Sequence, residues 1–189
     1  MSWPRQQLNS RLVAAFANAC RRHHVSPTPR VLIVEAGPQR LTLLERLPRF
    51  FYPGGYHVRR RFRCSTSRFG TGQQAGSNQT PLGLHRVAEK IGHGWPSGTA
   101  FRSRQPVGCT WQGMPDAKIT TRILWLEGLE PGFNRGNGVD SHERYIYIHG
   151  TGDETTLGRP ASCGCVHLAA ADLVPLFDTT PSGTLVWIG

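Results

Sequence analysis

Tyr145-Ile-Tyr-Ile-His-Gly-Thr151 and Ser162-Cys-Gly-Cys-Val-His167 are the two stretches around which the chain is organised. The first alternates between aliphatic and polar or aromatic residues, which predicts a β-strand that ends at His149. The second holds Cys165 in a short segment with Gly164, a residue typical of turns. Together they predict a histidine that leaves a sheet where a neighbouring turn can bring a thiol to it.

Side chains alternate between the two faces of a strand, so the first stretch also predicts which residues lie beside the histidine. We expect Tyr145, Tyr147 and His149 on one face, and Ile146 and Ile148 on the other. The histidine is therefore expected on the polar and aromatic side of the strand, away from the aliphatic core.

This arrangement suits nucleophilic catalysis by a cysteine. The reactive species is the thiolate, so a cysteine nucleophile needs a nearby base or cation, and His149 is the candidate partner of Cys165. Backbone N–H groups in a turn around the thiol are suited to holding a developing oxyanion. Gly164 lets a substrate approach without a Cβ in the way. The residues therefore predict an acyl-transfer site.

Length and composition restrict the class of protein. A chain of 189 residues is long enough for one domain with a core of its own, and no apolar run reaches the ~20 residues that span a bilayer. The net charge of +10 implies an anionic partner, without choosing between nucleic acid, membrane surface and cell-wall polymer. Five cysteines are an odd number and do not form a dense disulfide framework.

The chain is expected to divide into residues 1–29, an N-terminal amphipathic helix with a proline-containing linker, and residues 30–189, the catalytic domain. The helix, predicted over Pro4 to Arg22, rests on four-residue spacing of apolar side chains: Leu8, Leu12, Phe16 and Cys20. Asn18 and Arg11 interrupt the apolar stretch, so a docked helix is favoured over a secretory signal.

The rest of the chain predicts a mostly β fold, a sandwich or open barrel with short helices and long loops. The strand predictions are Val31–Glu35 and Leu41–Glu45 as a hairpin, Val58–Cys64 with one basic face, Thr80–Val87, Ile119–Leu126, the strand ending at His149, and Thr184–Ile188. Segments 65–80, 92–113 and 130–140 are expected to be loops, and Ala169 to Phe177 a short helix. Cys64 is expected in the core.

At these motifs the chain resembles the L,D-transpeptidase catalytic-domain family (YkuD; ErfK/YbiS/YcfS/YnhG). That family usually reads His-Gly-Thr, a spacer, and then Ser-His-Gly-Cys-Ile-Arg. The resemblance covers most of residues 30–189. The matching segments, in order, are Ser65–Ser67, Thr80–Gly83, Tyr147–Thr151, Gly158–Ser162, Asp172, Leu176–Phe177 and Gly183–Ile188.

The resemblance implies a mostly β domain that remodels peptidoglycan, with stem peptides as partners and with no metal or organic cofactor. It implies that Cys165 attacks the diamino-acid carbonyl of a tetrapeptide stem and expels D-alanine. An amine (forming a 3→3 cross-link or anchoring a protein) or water then resolves the thioester. It makes Cys165 the nucleophile, His149 the general acid/base, and Gly164 with the Cys165 N–H part of the oxyanion hole. Further oxyanion or substrate positions implied are Cys163, Ser162, Gly150, Thr151, Tyr147, His167 and Arg159.

Two positions depart from the family pattern. Cys163 stands where the family has histidine, and His167 where it has arginine. The departures leave open a homologue with low activity, or one that binds cell wall without catalysis. A metal site built from Cys163, Cys165, His167 and His149 is a further alternative.

A nucleic-acid binder that uses residues 59–63 is not expected, because stacking aromatics do not alternate with these arginines. Peptidoglycan implies the cell envelope or periplasm. No convincing export signal accompanies it in the sequence, so a cytoplasmic location stays an alternative.

Overall fold

The computed structural model describes residues 10–46 and 55–189 of the chain. The described helices are α1 (Ser10–Arg22), α2 (Ala170–Thr179) and a short 3-10 turn at Glu154–Thr156. The described strands are β1 (Arg30–Glu35), β2 (Arg40–Arg46), β3 (Tyr56–Ser65), β4 (Gly83–Ile91), β5 (Thr99–Arg102), β6 (Gln105–Cys109), β7 (Thr120–Gly128), β8 (Tyr147–Gly150), β9 (Val166–Leu168) and β10 (Leu185–Ile188).

Eight of the strands in these two ranges close into a mixed barrel. They follow the order β4-β10-β1-β2-β3-β9-β8-β7, and β7 pairs back onto β4. The β1–β10 and β8–β9 pairs are parallel, and the remaining pairs of the barrel are antiparallel. Closure leaves the barrel strands without an unpaired edge. The prediction of a mostly β fold with short helices, one of them N-terminal, is confirmed.

Residues on alternate positions of the strands fill the barrel. The interior contains aliphatic side chains from strands on all sides, such as Leu32, Leu124 and Ile148. Helix α2 completes this core with Leu173, Leu176 and Phe177. Cys64 lies in the same core and is fully buried, as its place in an alternating apolar pattern predicts.

Helix α1 packs on the outside of the barrel. Phe16 and Cys20 are 2% exposed and form a second core with Ile33 and Leu84. Their four-residue spacing places both on one helix face, which explains why this short helix docks here. The predicted N-terminal part of this helix, residues 4–9, lies outside the described residues.

The expectation that segment 92–113 is a loop is wrong, because it contains a hairpin of β5 and β6. The turn residues Ser103 and Arg104 have φ of 49° and 67°, the left-handed geometry of a two-residue hairpin turn. Pro106 and the absence of Asn or Gly in the turn conceal the hairpin in the sequence. The hairpin is held in place because Ala100 pairs with Thr120 of β7, a residue that is distant along the chain.

The arginines of β3 are partly engaged within the protein. Arg60 forms an ion pair with Asp172 of α2 at 2.6 Å, and Arg63 donates to the carbonyl oxygen of Leu157 at 2.7 Å. Arg59 lies 3.9 Å from the Glu45 carboxylate. Much of the run of arginines therefore ties α2 and the loop after β8 to the barrel.

Candidate active site

The parallel pair β8–β9 assembles the predicted catalytic residues. Its register pairs Ile148 with Val166, whose side chains enter the barrel core, and His149 with His167. Extended by one pair before Ile148 and Val166, the same register places Tyr147 beside Cys165. These alternate positions share the outer face, with His149 diagonal to Cys165.

The Cys165 sulfur is held by the backbone of the segment that leads into β8. Its Sγ accepts from the Tyr147 N–H at 3.4 Å and donates to the Tyr145 carbonyl oxygen at 3.4 Å. Burial raises the pKa of the thiol to about 11; Cys163 adds to this rise, whereas the Tyr147 N–H and Arg144 oppose it. Cys165 is therefore a neutral thiol in the resting protein at pH 7.

His149 is positioned to act as a neutral base. Its Nδ1 lies 2.8 Å from the Gly150 carbonyl oxygen, which can only accept, so Nδ1 carries the proton and Nε2 the lone pair. The ring is 2% exposed; burial and then His167 lower its pKa to about 3. Among the hydrogen bonds of the described residues, none joins His149 to Cys165. The thiol must therefore turn away from Tyr145 before it can give its proton to the imidazole.

His167 lies directly beside His149. The ring centroids are 4.7 Å apart, and Nδ1 of His167 is buried with no hydrogen-bond partner within the described part of the chain. Burial lowers the pKa of His167 to about 4. The position where the family usually has arginine is therefore uncharged at pH 7.

Ser162 shapes the turn that carries the thiol. Its Oγ donates to the Cys165 carbonyl at 2.6 Å and accepts from the Gly164 N–H at 3.3 Å. Gly164 has φ of 120°, and a Cβ there would lie 3.3 Å from Ile146 Cδ1 and 3.4 Å from the Gln79 carbonyl oxygen. The Gly164 N–H is thus occupied, while no hydrogen bond found among the described residues uses the Cys165 N–H. That N–H is the available candidate for an oxyanion.

Arg144 holds the loop that forms one wall of the site. It donates to the carbonyl oxygens of Gln73 at 2.7 Å, Gly72 at 3.2 Å and Gln79 at 2.6 Å. Beside it lies a cavity of about 330 Å³ whose lining includes Arg144 and Cys163. Cys163 is exposed and faces this cavity.

An aromatic cluster centred on Trp125 forms another wall of the site. His142 stacks on Trp125 at 4.0 Å, and Tyr147 meets the same ring edge-on at 5.5 Å. Tyr145 also packs on Trp125, at 5.6 Å, and Arg104 lies over the indole with its Cζ at 4.7 Å. Cys165 packs against this cluster.

The expectation that Tyr145 lies on the strand beside Tyr147 and His149 is wrong. Strand β8 begins at Tyr147, and Tyr145 has φ of 55°, which takes it out of the alternating pattern. The left-handed turn presents the Tyr145 carbonyl to the thiol of Cys165 and leaves Tyr145 53% exposed.

Two predicted substrate positions lie apart from the thiol. Thr151 accepts from the Asp153 N–H at 3.3 Å and lines a different cavity, of about 290 Å³, together with Trp111. Arg159 is exposed, and its carbonyl accepts from Ser65. Within the described part of the chain, neither Thr151 nor Arg159 contacts Cys165.

Gly150 belongs to the site through its backbone. Besides accepting from His149, it faces a bulge of β7 where a Cβ would lie 2.8 Å from the Thr120 carbonyl oxygen. Thr121 in this bulge has φ of 69°, a rare conformation for a β-branched residue. The close approach of the two strands requires glycine here.

Within the described residues, no group of three or more His, Cys, Asp or Glu side chains is placed to hold a metal ion. All five cysteines are free thiols. None of the described helices is both long enough and apolar enough to cross a bilayer.

Sequence reasoning missed Arg104, Trp125 and His142 of the aromatic cluster, and Arg144, whose charge acts on the thiol. Arg104 lies in the segment expected to be a loop, and Arg144 is one arginine among many. Only Trp125, inside the strongest strand pattern, carried a signal, and that signal indicated a core residue.

Comparisons with known proteins show the family and similar folds. The family model of the L,D-transpeptidase catalytic domain (YkuD) matches residues 29–188. Among solved structures, the fold is similar to Bd1075 of Bdellovibrio bacteriovorus (17% identity, TM-score 0.54, covering 86% of this chain and 48% of that chain). It is also similar to the LD transpeptidase LdtMt1 in complex with imipenem (14% identity, TM-score 0.51, covering 85% of this chain and 59% of that chain).

The chain thus spans between 48% and 59% of the length of these two structures. No significant match was found among curated proteins. With a family match that extends over the whole barrel, the chain belongs to the L,D-transpeptidase catalytic-domain (YkuD) family.

Proposed function

We propose that this chain is a cysteine acyltransferase that acts on the tetrapeptide stems of peptidoglycan, as an L,D-transpeptidase or L,D-carboxypeptidase. The observation that supports it is the shared face of Cys165 and His149, in a chain of this family. On this proposal the enzyme acts in the cell envelope, where peptidoglycan lies.

In the first half-reaction, Nε2 of His149 takes the Cys165 proton as the sulfur attacks the carbonyl of the diamino-acid residue. The Cys165 N–H stabilises the developing oxyanion. The C–N bond then breaks, and D-alanine leaves with the proton that His149 returns to its amine. The product is a thioester on Cys165.

In the second half-reaction, His149 removes a proton from the incoming amine or from water. Attack on the thioester releases the thiolate, which regains its proton from the imidazolium. A stem-peptide amine yields a cross-link, and water yields a trimmed stem. Burial favours the neutral thiol and neutral imidazole, so we expect proton transfer to accompany attack instead of a standing ion pair.

The test is incubation with purified tetrapeptide muropeptides, followed by mass spectrometry for released D-alanine and for cross-linked or trimmed products. Wild type is expected to release D-alanine, and Cys165→Ser and His149→Gln are expected to lose this release by at least about 100-fold. Cys109→Ser is the matched control, because it removes one free thiol on β6, outside the site. Release that survives Cys165→Ser would refute the proposal.

A second candidate, a cell-wall-binding homologue with little turnover, is favoured by one observation. The thiol donates to Tyr145, and not to His149. Muropeptide binding without D-alanine release or acyl-enzyme formation in wild type would select this alternative.

A further inference from the structure

We propose that Arg104, at the tip of the β5–β6 hairpin, forms a carboxylate-binding subsite beside Cys165. This inference rests on the proposed function: the carboxylate is the C-terminus of the donor peptide, one residue beyond the scissile carbonyl. The subsite would make the site selective for donors that end at the residue to be expelled.

The hairpin places Arg104 over the aromatic wall of the site. Its Cζ lies 4.7 Å from the centroid of the Trp125 ring and 5.3 Å from that of Tyr145. The phenol of Tyr147 lies close to the same guanidinium, and its influence raises the pKa of Arg104. The left-handed turn at Ser103 and Arg104 is what directs this side chain back over β7 and β8.

The same two tyrosines connect the guanidinium to the nucleophile. The backbone of Tyr145 and Tyr147 holds the Cys165 sulfur, while their side chains contact Arg104. A residue spans about 3.5 Å along the chain, and a charged N–H···O contact adds about 2.8 Å. On this scale, the subsite places the carboxylate one residue past the reacting carbonyl against this cation.

The chemistry of the guanidinium suits that ligand. Stacking uses the flat faces of the group and leaves its in-plane N–H donors available for two parallel bonds to a carboxylate. Arg144, the arginine whose charge acts on Cys165, has its donors engaged by the loop carbonyls. His167 is neutral at pH 7.

One carboxylate of the protein competes for Arg104. Glu89 attracts it electrostatically, but its Oε1 lies 3.3 Å from His142 Nε2, and no ion pair between Glu89 and Arg104 occurs in the described ranges. Glu89→Gln is therefore expected to strengthen capture of an anionic donor.

The first experiment compares donor peptides that end in a free carboxylate with the same peptides ending in a carboxamide. For wild type we expect kcat/KM to be about 10-fold higher with the carboxylate, the scale of a hydrogen bond to a charged group. Arg104→Gln should bring this ratio close to one. Arg104→Lys should retain part of it, and Arg102→Gln, an exposed charge change on the same hairpin, should leave it intact.

The second experiment does not depend on turnover. Bromoacetyl-D-alanine and bromoacetyl-D-alaninamide alkylate a thiol at the same carbon and differ only in the charge one residue away. Peptide mass spectrometry distinguishes Cys165 from the exposed Cys163. The acid is expected to modify Cys165 several-fold faster than the amide. Arg104→Gln should abolish this preference and Arg102→Gln should preserve it.

The outcomes separate the two proposals. If wild type acts on no tetrapeptide but alkylates with an Arg104-dependent preference for the acid, the subsite stands and the proposed function fails. If stems are processed but neither ratio responds to Arg104→Gln and Arg104→Lys, the subsite is overturned and the function stands. Near-ultraviolet circular dichroism of each variant verifies that the barrel is folded.

Discussion

His149 and His167 occupy directly paired positions on parallel strands β8 and β9, and their ring centroids lie 4.7 Å apart. Burial keeps both imidazoles neutral, with pKa values of about 3 and about 4. A proton on either ring disfavours one on the other. The candidate catalytic face therefore carries a base that is available at neutral pH and is lost only in strong acid.

Stability should fall in mild acid because of these buried rings and of His85, whose pKa is lowered to about 4 by burial. The unfolded histidines, with pKa near 6.5, bind more protons than the folded ones between about pH 6.5 and pH 4. The stabilising effect is complete above about pH 6.5 and is lost as pH falls through this window, by on the order of 1 kcal/mol per histidine per pH unit.

Urea unfolding at a series of pH values between about 7.5 and 4.5 measures this dependence. His149→Gln should make it shallower. A free energy of unfolding that is constant across the window would contradict the assignment of buried neutral imidazoles.

The thiols should react in an order set by exposure and pKa. Cys163 is exposed and should be alkylated first; Cys165 should follow, at a rate that rises with pH towards its pKa of about 11. Burial raises the pKa of Cys64 to about 12 and of Cys20 to about 11, and both are buried in the core. Iodoacetamide labelling of the native protein with peptide mass spectrometry resolves the order. Early labelling of Cys64 would mean that the barrel core is open.

Gly150→Ala should damage both stability and activity. The added Cβ would lie 2.8 Å from the Thr120 carbonyl oxygen and Oγ1, so the strands must separate, at a cost of about 1–3 kcal/mol. The displaced Gly150 carbonyl would also release Nδ1 of His149. We expect acyl transfer to fall by more than about 10-fold, because the tautomer of the base is no longer fixed. Gly37→Ala, where a Cβ meets nothing within 4 Å, is the control in thermal unfolding and turnover assays.

Ser162→Ala should loosen the turn that carries the nucleophile. It removes the hydroxyl that bridges the Cys165 carbonyl and the Gly164 N–H, at a cost of about 1 kcal/mol in stability. The expected signature is a fall in kcat with little change in KM, measured as D-alanine release. Unchanged kcat would mean that the turn is held by the backbone pairing of Ser162 with Ser67 alone.

Much of the site follows from period-two alternation and from motif order. The alternation of Tyr147, Ile148 and His149 predicts which side chains face outward, and the structure agrees. The helix predicted from Phe16 and Cys20 and the burial of Cys64 follow from local patterns as well. The prediction fails at Tyr145, where a positive φ that depends on tertiary contacts interrupts the alternation.

By itself, the sequence determined the mostly β class, the N-terminal helix, the family and the order of His149 and Cys165 along the chain. Only the tertiary structure decided that β8 and β9 pair in the register that sets His149 beside His167, and that β7 closes the barrel onto β4. It also decided that the Arg104 side chain lies over Trp125, and that the N–H donors of Arg144 bind carbonyl oxygens of a loop. Local periodicity sets which face a side chain takes. Which distant residues meet depends on strand register and closure, and these are properties of the whole packed chain.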